Sequence, residues 1–159
     1  MDRESFKNWL AAYGKAWTSR DPEAAASLYS DDATYQVTPF NEPLRGRAAI
    51  YEYWAGVART EERIQFDCEI LAVTAEHGIA RWRASFVRVP PGLQTKLDGI
   101  FLISLDSAGR CQSFREWWHK QQQDAGCLPA IGSTDNSTRQ RKSLFYCPRR
   151  LNASRTLPT

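Results

Sequence analysis

The stretch Asp-Pro-Glu-Ala-Ala-Ala-Ser-Leu-Tyr-Ser-Asp-Asp-Ala-Thr-Tyr, from Asp21 to Tyr35, turns a helix into a strand with almost no connector. Asp21 can accept from the free amides of a first helical turn, and Pro22 sits where a missing N–H costs nothing. Glu23 adds negative charge at the positive end of the helix dipole, and three alanines favour helix. Leu28 and Tyr29 give that helix a side to bury. Ser30-Asp31-Asp32 ends it, and Ala33-Thr34-Tyr35-Gln36-Val37 resumes with strand chemistry.

What flanks this switch sets the layout. Over residues 4–18, Phe6, Trp9, Leu10, Tyr13 and Trp17 recur at helical spacing and form one aromatic face. The second helix spans 21–29 and the first strand 33–38; Pro39 and Pro43 then predict irregular chain up to Leu44. A third helix over 47–58 puts Ile50, Tyr53, Trp54 and Val57 on one side. From there the period becomes two. Strands are expected over 63–76, 79–89, 95–106 and 111–120, with turns at His77-Gly78, Pro90-Pro91-Gly92 and Asp106-Ser107-Ala108-Gly109. Three helices followed by a long antiparallel meander make an α+β fold, a curved antiparallel sheet wrapped around three N-terminal helices.

At 159 residues the chain predicts one domain over 1–123, followed by a basic tail over 124–159. The tail holds Arg139, Arg141, Lys142, Arg149, Arg150 and Arg155 against Asp124 and Asp135, leaving 15 basic and 16 acidic residues for the body. Rich in Ser, Thr, Asn, Pro and Arg and without Trp, the tail reads as disordered. A near-neutral body leaves no electrostatic footprint for nucleic acid, so no nucleic-acid partner is expected. No apolar run approaches the roughly 18 residues that span a membrane, and no secretory signal is visible. The expectation is therefore a cytoplasmic protein with no membrane partner. Cys68, Cys111, Cys127 and Cys147 form no Cys-x-x-Cys pair and lie apart from His77 and His119, which points to free thiols. Phosphate-loop, nucleophile-elbow and His-Glu-x-x-His patterns are absent, so neither a metal nor a nucleotide cofactor is expected.

A tight turn at 106–109 pairs the last two strands so that Phe101 faces Phe114, Leu97 faces Trp118 and Gly99 faces Glu116. The helix-covered face then carries Trp82, Ala84, Phe86, Phe101, Phe114 and Trp118, with Glu116 among them beside the space a glycine leaves. A carboxylate set among these aromatics is the most unusual residue of the chain. Either it faces the interior of the sheet, or it pairs with Arg45 or Arg47 at the rim, or a different register puts it on the outer face.

Several segments in this order resemble the nuclear transport factor 2-like superfamily, in particular its SnoaL-like branch. They are Trp9-Leu10-Ala11-Ala12-Tyr13, Asp21 to Thr34, Leu44-Arg45-Gly46-Arg47, and Asp106-Ser107-Ala108-Gly109-Arg110 leading to Trp117-Trp118. The resemblance covers roughly residues 5–121 and implies a cone with an internal hydrophobic pocket, often in a homodimer packed through the outer sheet face. Branch members include ketosteroid isomerases, polyketide cyclases, limonene-epoxide hydrolases and scytalone dehydratases. Along the motifs, Tyr13 falls on the isomerase tyrosine, whereas the base position holds Val37 and the second aspartate position holds Phe101. The epoxide-hydrolase relay and the dehydratase histidines find no match.

Within such a cone the catalytic candidates are Tyr13, which the resemblance implies, and Glu116, which the strand pattern places inside. Tyr35 is the further polar group of the pocket, and Trp17, Tyr53, Trp54, Trp82, Phe86, Phe101, Phe114 and Trp118 are its walls. Burial raises a carboxyl pKa, which suits Glu116 to proton transfer, and Tyr13 is placed to donate to an oxyanion. Two functions follow. One is a cofactor-independent acid–base enzyme of isomerase, cyclase, dehydratase or hydrolase type, acting on a small hydrophobic carbonyl compound. The other is a non-catalytic small-ligand-binding or dimeric scaffold domain. Outward-facing Trp117, Ile100 and Leu102 favour a homodimer through the open sheet face.

Overall fold

The computed structural model describes residues 1–124, so the basic tail from residue 125 onward lies outside the described residues. Helix α1 (Arg3–Ser19) starts where the Asp2 carboxylate accepts from the Ser5 amide at 2.8 Å and from its hydroxyl at 2.6 Å. It stops at Arg20, whose left-handed φ of 58° lets its amide reach the carbonyls of Ala16 and Trp17. Asp21 then caps α2 (Pro22–Ser27) by accepting from the Ala24 amide at 2.9 Å. This helix is shorter than expected at its C-terminal end. The Leu28 carbonyl accepts from the Cys111 amide at 2.8 Å, which pins the chain to the sheet and starts strand β1 (Tyr29–Gln36) at Tyr29.

The segment expected to be irregular contains a two-residue strand, β2 (Leu44–Arg45), paired with Thr34 and Tyr35, while Pro39 and Pro43 stay out of the ladder. Helix α3 (Gly46–Thr60) follows without a side-chain cap. Its Arg47 instead donates from Nε and Nη2 to the Tyr29 carbonyl at 3.1 and 3.0 Å and pairs with Asp31, tying α3 to β1. The meander consists of β3 (Glu61–Val73), β4 (Gly78–Arg88), β5 (Leu93–Leu105) and β6 (Cys111–Asp124). The six strands form one curved, open sheet in the order β2-β1-β6-β5-β4-β3, antiparallel except where β1 runs parallel to β6. The helices pack on one face, α1 against β3 and α3 against β1.

One expected register is corrected. Gly99 faces Trp118, Phe101 faces Glu116, Ile103 faces Phe114 and Leu97 faces Lys120. The loop is wider than a tight turn, because the Asp106 amide donates to the Arg110 carbonyl at 2.7 Å and a bulge follows between Ser104 and Leu105. Together these shift the ladder by two residues. A shift of two leaves every side chain on its expected face, so the inner set survives. Gly99 does not make room for Glu116. A Cβ there would lie 2.8 Å from Trp118 Cβ and 2.9 Å from Trp82 Nε1, so the glycine lets two tryptophans close over β5.

The core is built largely of rings. Tyr13 stacks on Trp9 at 5.3 Å and on Phe114 at 5.6 Å, and meets Trp54 and Phe101 edge-on at 5.3 and 5.4 Å. Each such ring removes about 150–250 Å² from water, several kcal/mol at about 25 cal/mol/Å². Among the described residues, no helix is long and apolar enough to cross a membrane.

Candidate functional site

Between α1, α3 and the inner face of β4–β6 lies a cavity of about 460 Å³. That size suits a small apolar ligand. Alternate residues of β6 line it from floor to mouth: Glu116, Trp118, Lys120 and Gln122. On β5 the matching positions are Leu97, Thr95 and Leu93. Helix α1 supplies Tyr13 and Trp17 one turn apart, and α3 supplies Tyr53, Trp54 and Val57.

Glu116 is 5% exposed, and its Oε1 accepts a hydrogen bond from the Tyr35 hydroxyl at 3.0 Å. Burial pushes its carboxyl up to about 8, against the smaller opposing pull of the Tyr35 hydrogen bond. The alternative ion pair with Arg45 or Arg47 does not form: Arg47 is spent on Tyr29 and Asp31, and Arg45 is exposed. Tyr13 and Tyr35 are held well above the usual phenol range by burial first and the Glu116 charge second, so both remain donors. Tyr53 is raised for the same two reasons. Tyr35 therefore fixes one carboxylate oxygen and leaves Oε2 as the atom free to carry a proton.

Of the residues singled out from the sequence, Tyr13, Trp17, Tyr35, Tyr53, Trp54, Trp82, Phe86, Glu116 and Trp118 are brought together on this one wall. Phe101 and Phe114 are not. Both are buried behind it, because the Tyr13 ring packs on the two of them and the phenol takes the place facing the cavity. Trp118 is anchored by its indole N–H, which donates to the Val37 carbonyl at 3.1 Å.

Sequence reasoning missed a second buried carboxylate. Glu61, 3% exposed, opens β3 and lines the same cavity. Its Oε2 accepts from Trp17 Nε1 at 3.0 Å and its Oε1 from Arg88 Nη2 at 2.8 Å. Burial raises its pKa, while the Trp17 hydrogen bond and the Arg88 charge pull it back. Alternation from Ile64 and Phe66 places Glu61 on the outer face. It is turned inward because the ladder slips between the Glu62–Val87 and Gln65–Ser85 pairs, with Arg63 at a positive φ of 55°. An arginine gives no sign in the sequence that such a conformation is coming. Among the described residues, no group of three His, Cys, Asp or Glu is placed to hold a metal ion.

Residues 10–114 match the SnoaL-like domain. The steroid Delta-isomerase of Nocardioides simplex is 30% identical over 109 residues, which cover 69% of this chain and 85% of that protein. Among solved structures, the Delta 5-3-ketosteroid isomerase from Mycobacterium sp. has a TM-score of 0.65 at 18% identity, covering 75% of this chain and 98% of that one. The epoxide hydrolase/cyclase-like enzyme SalBIII, described with pyran ring formation in the polyether salinomycin, has a TM-score of 0.66 at 19% identity, covering 74% and 93%. At these identities the two structures speak to the fold.

Proposed function

Since this chain belongs to the SnoaL-like domain family, we propose that its cavity binds a small hydrophobic ketone and transfers a proton on it, an isomerase-type reaction using side chains alone. The observation that carries this reading is Glu116, a carboxyl shut into an aromatic cavity with one oxygen held by Tyr35 and its pKa near 8. At pH 7 about a tenth of such a group is ionised, and that fraction is a far stronger base than an exposed carboxylate. Glu116 Oε2 takes a proton from the carbon next to the carbonyl and returns it to another carbon of the same conjugated system. Tyr13, kept protonated by burial, donates to the oxygen on which negative charge develops. The aromatic walls exclude water and hold the apolar body of the ligand.

A Δ5-3-ketosteroid, the substrate class in the name of a structural relative, is the first compound to test. Conversion to the conjugated enone is followed by ultraviolet absorbance. Glu116→Gln is expected to lower kcat by 100-fold or more, on the scale of lost general acid–base catalysis, with affinity within a few-fold of wild type. Turnover that survives this substitution would remove Glu116 from the reaction.

The second reading is a ligand-binding or scaffold domain, favoured by apolar Val37 and Phe101 at the two positions where the resemblance expects carboxylates. It predicts a wild-type protein that binds the ketone and converts none of it. Under either reading, a homodimer through the outer sheet face is part of the proposal; there Trp117 is 40% exposed.

A further inference from the structure

In the cavity wall Glu61 pairs with Arg88 and accepts from the Trp17 indole N–H, so its carboxylate is only partly engaged. Ion pairs at partly buried positions add little net stability, because desolvation offsets most of their attraction. Bringing Glu61 inward also requires the bulge at Arg63, a non-glycine residue in the left-handed region, which carries a backbone cost of its own. An apolar residue at position 61 in a regular strand would need neither the bulge nor the ion pair, at the loss of an acceptor for Trp17 Nε1. A strained backbone and a polar pair thus coincide at one point of an otherwise aromatic lining.

Their position is specific. Arg88 is the cross-strand partner of Glu61 and half-exposed, and exposed Lys120 and Gln122 lie on the same wall, so this end of the cavity is its mouth. Glu116 and Tyr35 sit at the buried end. Tyr13 and Tyr53 line the same cavity as the two carboxylates. A ligand that fills the cavity with its carbonyl at Glu116 presents its other end to Glu61 and Arg88.

We propose that Glu61 and Arg88 form a second polar subsite that reads a hydroxyl at the end of the ligand remote from the carbonyl, making the substrate class a hydroxylated apolar ketone. This rests on reading the cavity as a ketone site. Each Glu61 oxygen uses one lone pair on Trp17 or Arg88 and has another to offer a donor. The half-exposed guanidinium of Arg88 has further N–H groups for an acceptor. A hydroxyl satisfies both at once. An anionic end meets the Glu61 carboxylate, a cationic end meets Arg88 and Lys120, and a hydrocarbon end gains no hydrogen bond.

The test measures the affinity of the intact protein for three Δ4-3-ketosteroids, which carry at C17 a hydroxyl, no substituent or a carboxylate. Quenching of tryptophan fluorescence reports binding, since Trp17, Trp54, Trp82 and Trp118 line the cavity. The hydroxyl compound is expected to bind about tenfold or more tightly than either other, on the scale of a hydrogen bond to a charged group. Glu61→Leu is expected to bring its preference over the unsubstituted compound close to one. Glu61→Gln, which keeps the side-chain shape, is expected to reduce that preference several-fold. Equal binding of the hydroxyl and unsubstituted compounds to wild type overturns the subsite and leaves the ketone site standing. Tightest binding of the carboxylate also overturns it, in favour of an anion site at Arg88 and Lys120. A hydroxyl preference with no turnover of the corresponding Δ5 compound supports the subsite and sinks the catalytic reading. No binding of any of the three overturns both.

Discussion

Glu116 shows how one buried side chain links function to stability. Its folded pKa near 8 lies above the reference of 4.5, so between those values the folded protein holds a proton that the unfolded chain releases. Stability linked to this group is fully present below about pH 4.5 and is lost as the pH rises through about 8; the raised pKa of Glu61 acts in the same direction. Glu116→Gln removes the penalty of burying a charge. It is expected to raise the melting temperature over wild type at pH 9 and to leave it nearly unchanged at pH 4.5, as read by thermal unfolding at the two values. Tyr35 supplies an independent check. Its hydrogen bond favours the carboxylate, so Tyr35→Phe raises the Glu116 pKa further. If ionised Glu116 is the base, kcat/KM of wild type climbs with pH and levels off above about 8, and in Tyr35→Phe the midpoint moves upward. A midpoint that falls or stays fixed contradicts the assignment.

At the scale of elements, what decides the site is irregularity rather than regular strand. The bulge around Arg63 reverses the facing of the first residues of β3, and without it Glu61 points to solvent. Because Arg63 has φ 55°, a β-branched side chain there is strained whereas glycine is at ease. Arg63→Val is therefore expected to destabilise the fold by about 1–2 kcal/mol despite valine's preference for strands, and Arg63→Gly to be neutral or mildly stabilising. Denaturant unfolding of the two variants measures the difference, and a more stable valine variant would show that residue 63 has ordinary strand geometry. The slip in the β5–β6 hairpin illustrates the opposite case. It changes every pairing partner by two and alters no facing, so Glu116 stays inside although Phe101 rather than Gly99 lies across from it.

At the scale of the whole molecule, among the described residues, the helices pack on one face of the sheet, and the other face carries exposed side chains. That outer face carries the ion pairs Arg81–Asp98 and Arg83–Asp67, with Trp117 exposed beneath the Arg115 guanidinium at 5.5 Å. If the proposed homodimer uses this face, sedimentation is expected to give twice the chain mass, and Trp117→Glu to give a monomer whose ligand affinity is unchanged. A wild-type monomer at high micromolar concentration rules the dimer out. Much of the architecture was legible in local chemistry. Asp21 caps its helix, the ring spacing in α1 marks its buried side, and alternation along β4–β6 assigns Trp82, Phe86 and Glu116 to the interior. These features depend on the periods of helix and strand, which a chain carries in its own residues. What only the folded chain decides is contact between distant segments. Tyr35 meets Glu116 across 81 residues because β1 lies parallel to β6, and Glu61 meets Trp17 and Arg88 because a bulge turns it inward. Neither the pairing of strands remote in sequence nor a left-handed arginine follows from local preference. Both are set by how the sheet closes over the helices, and that closure places the second carboxylate in the cavity.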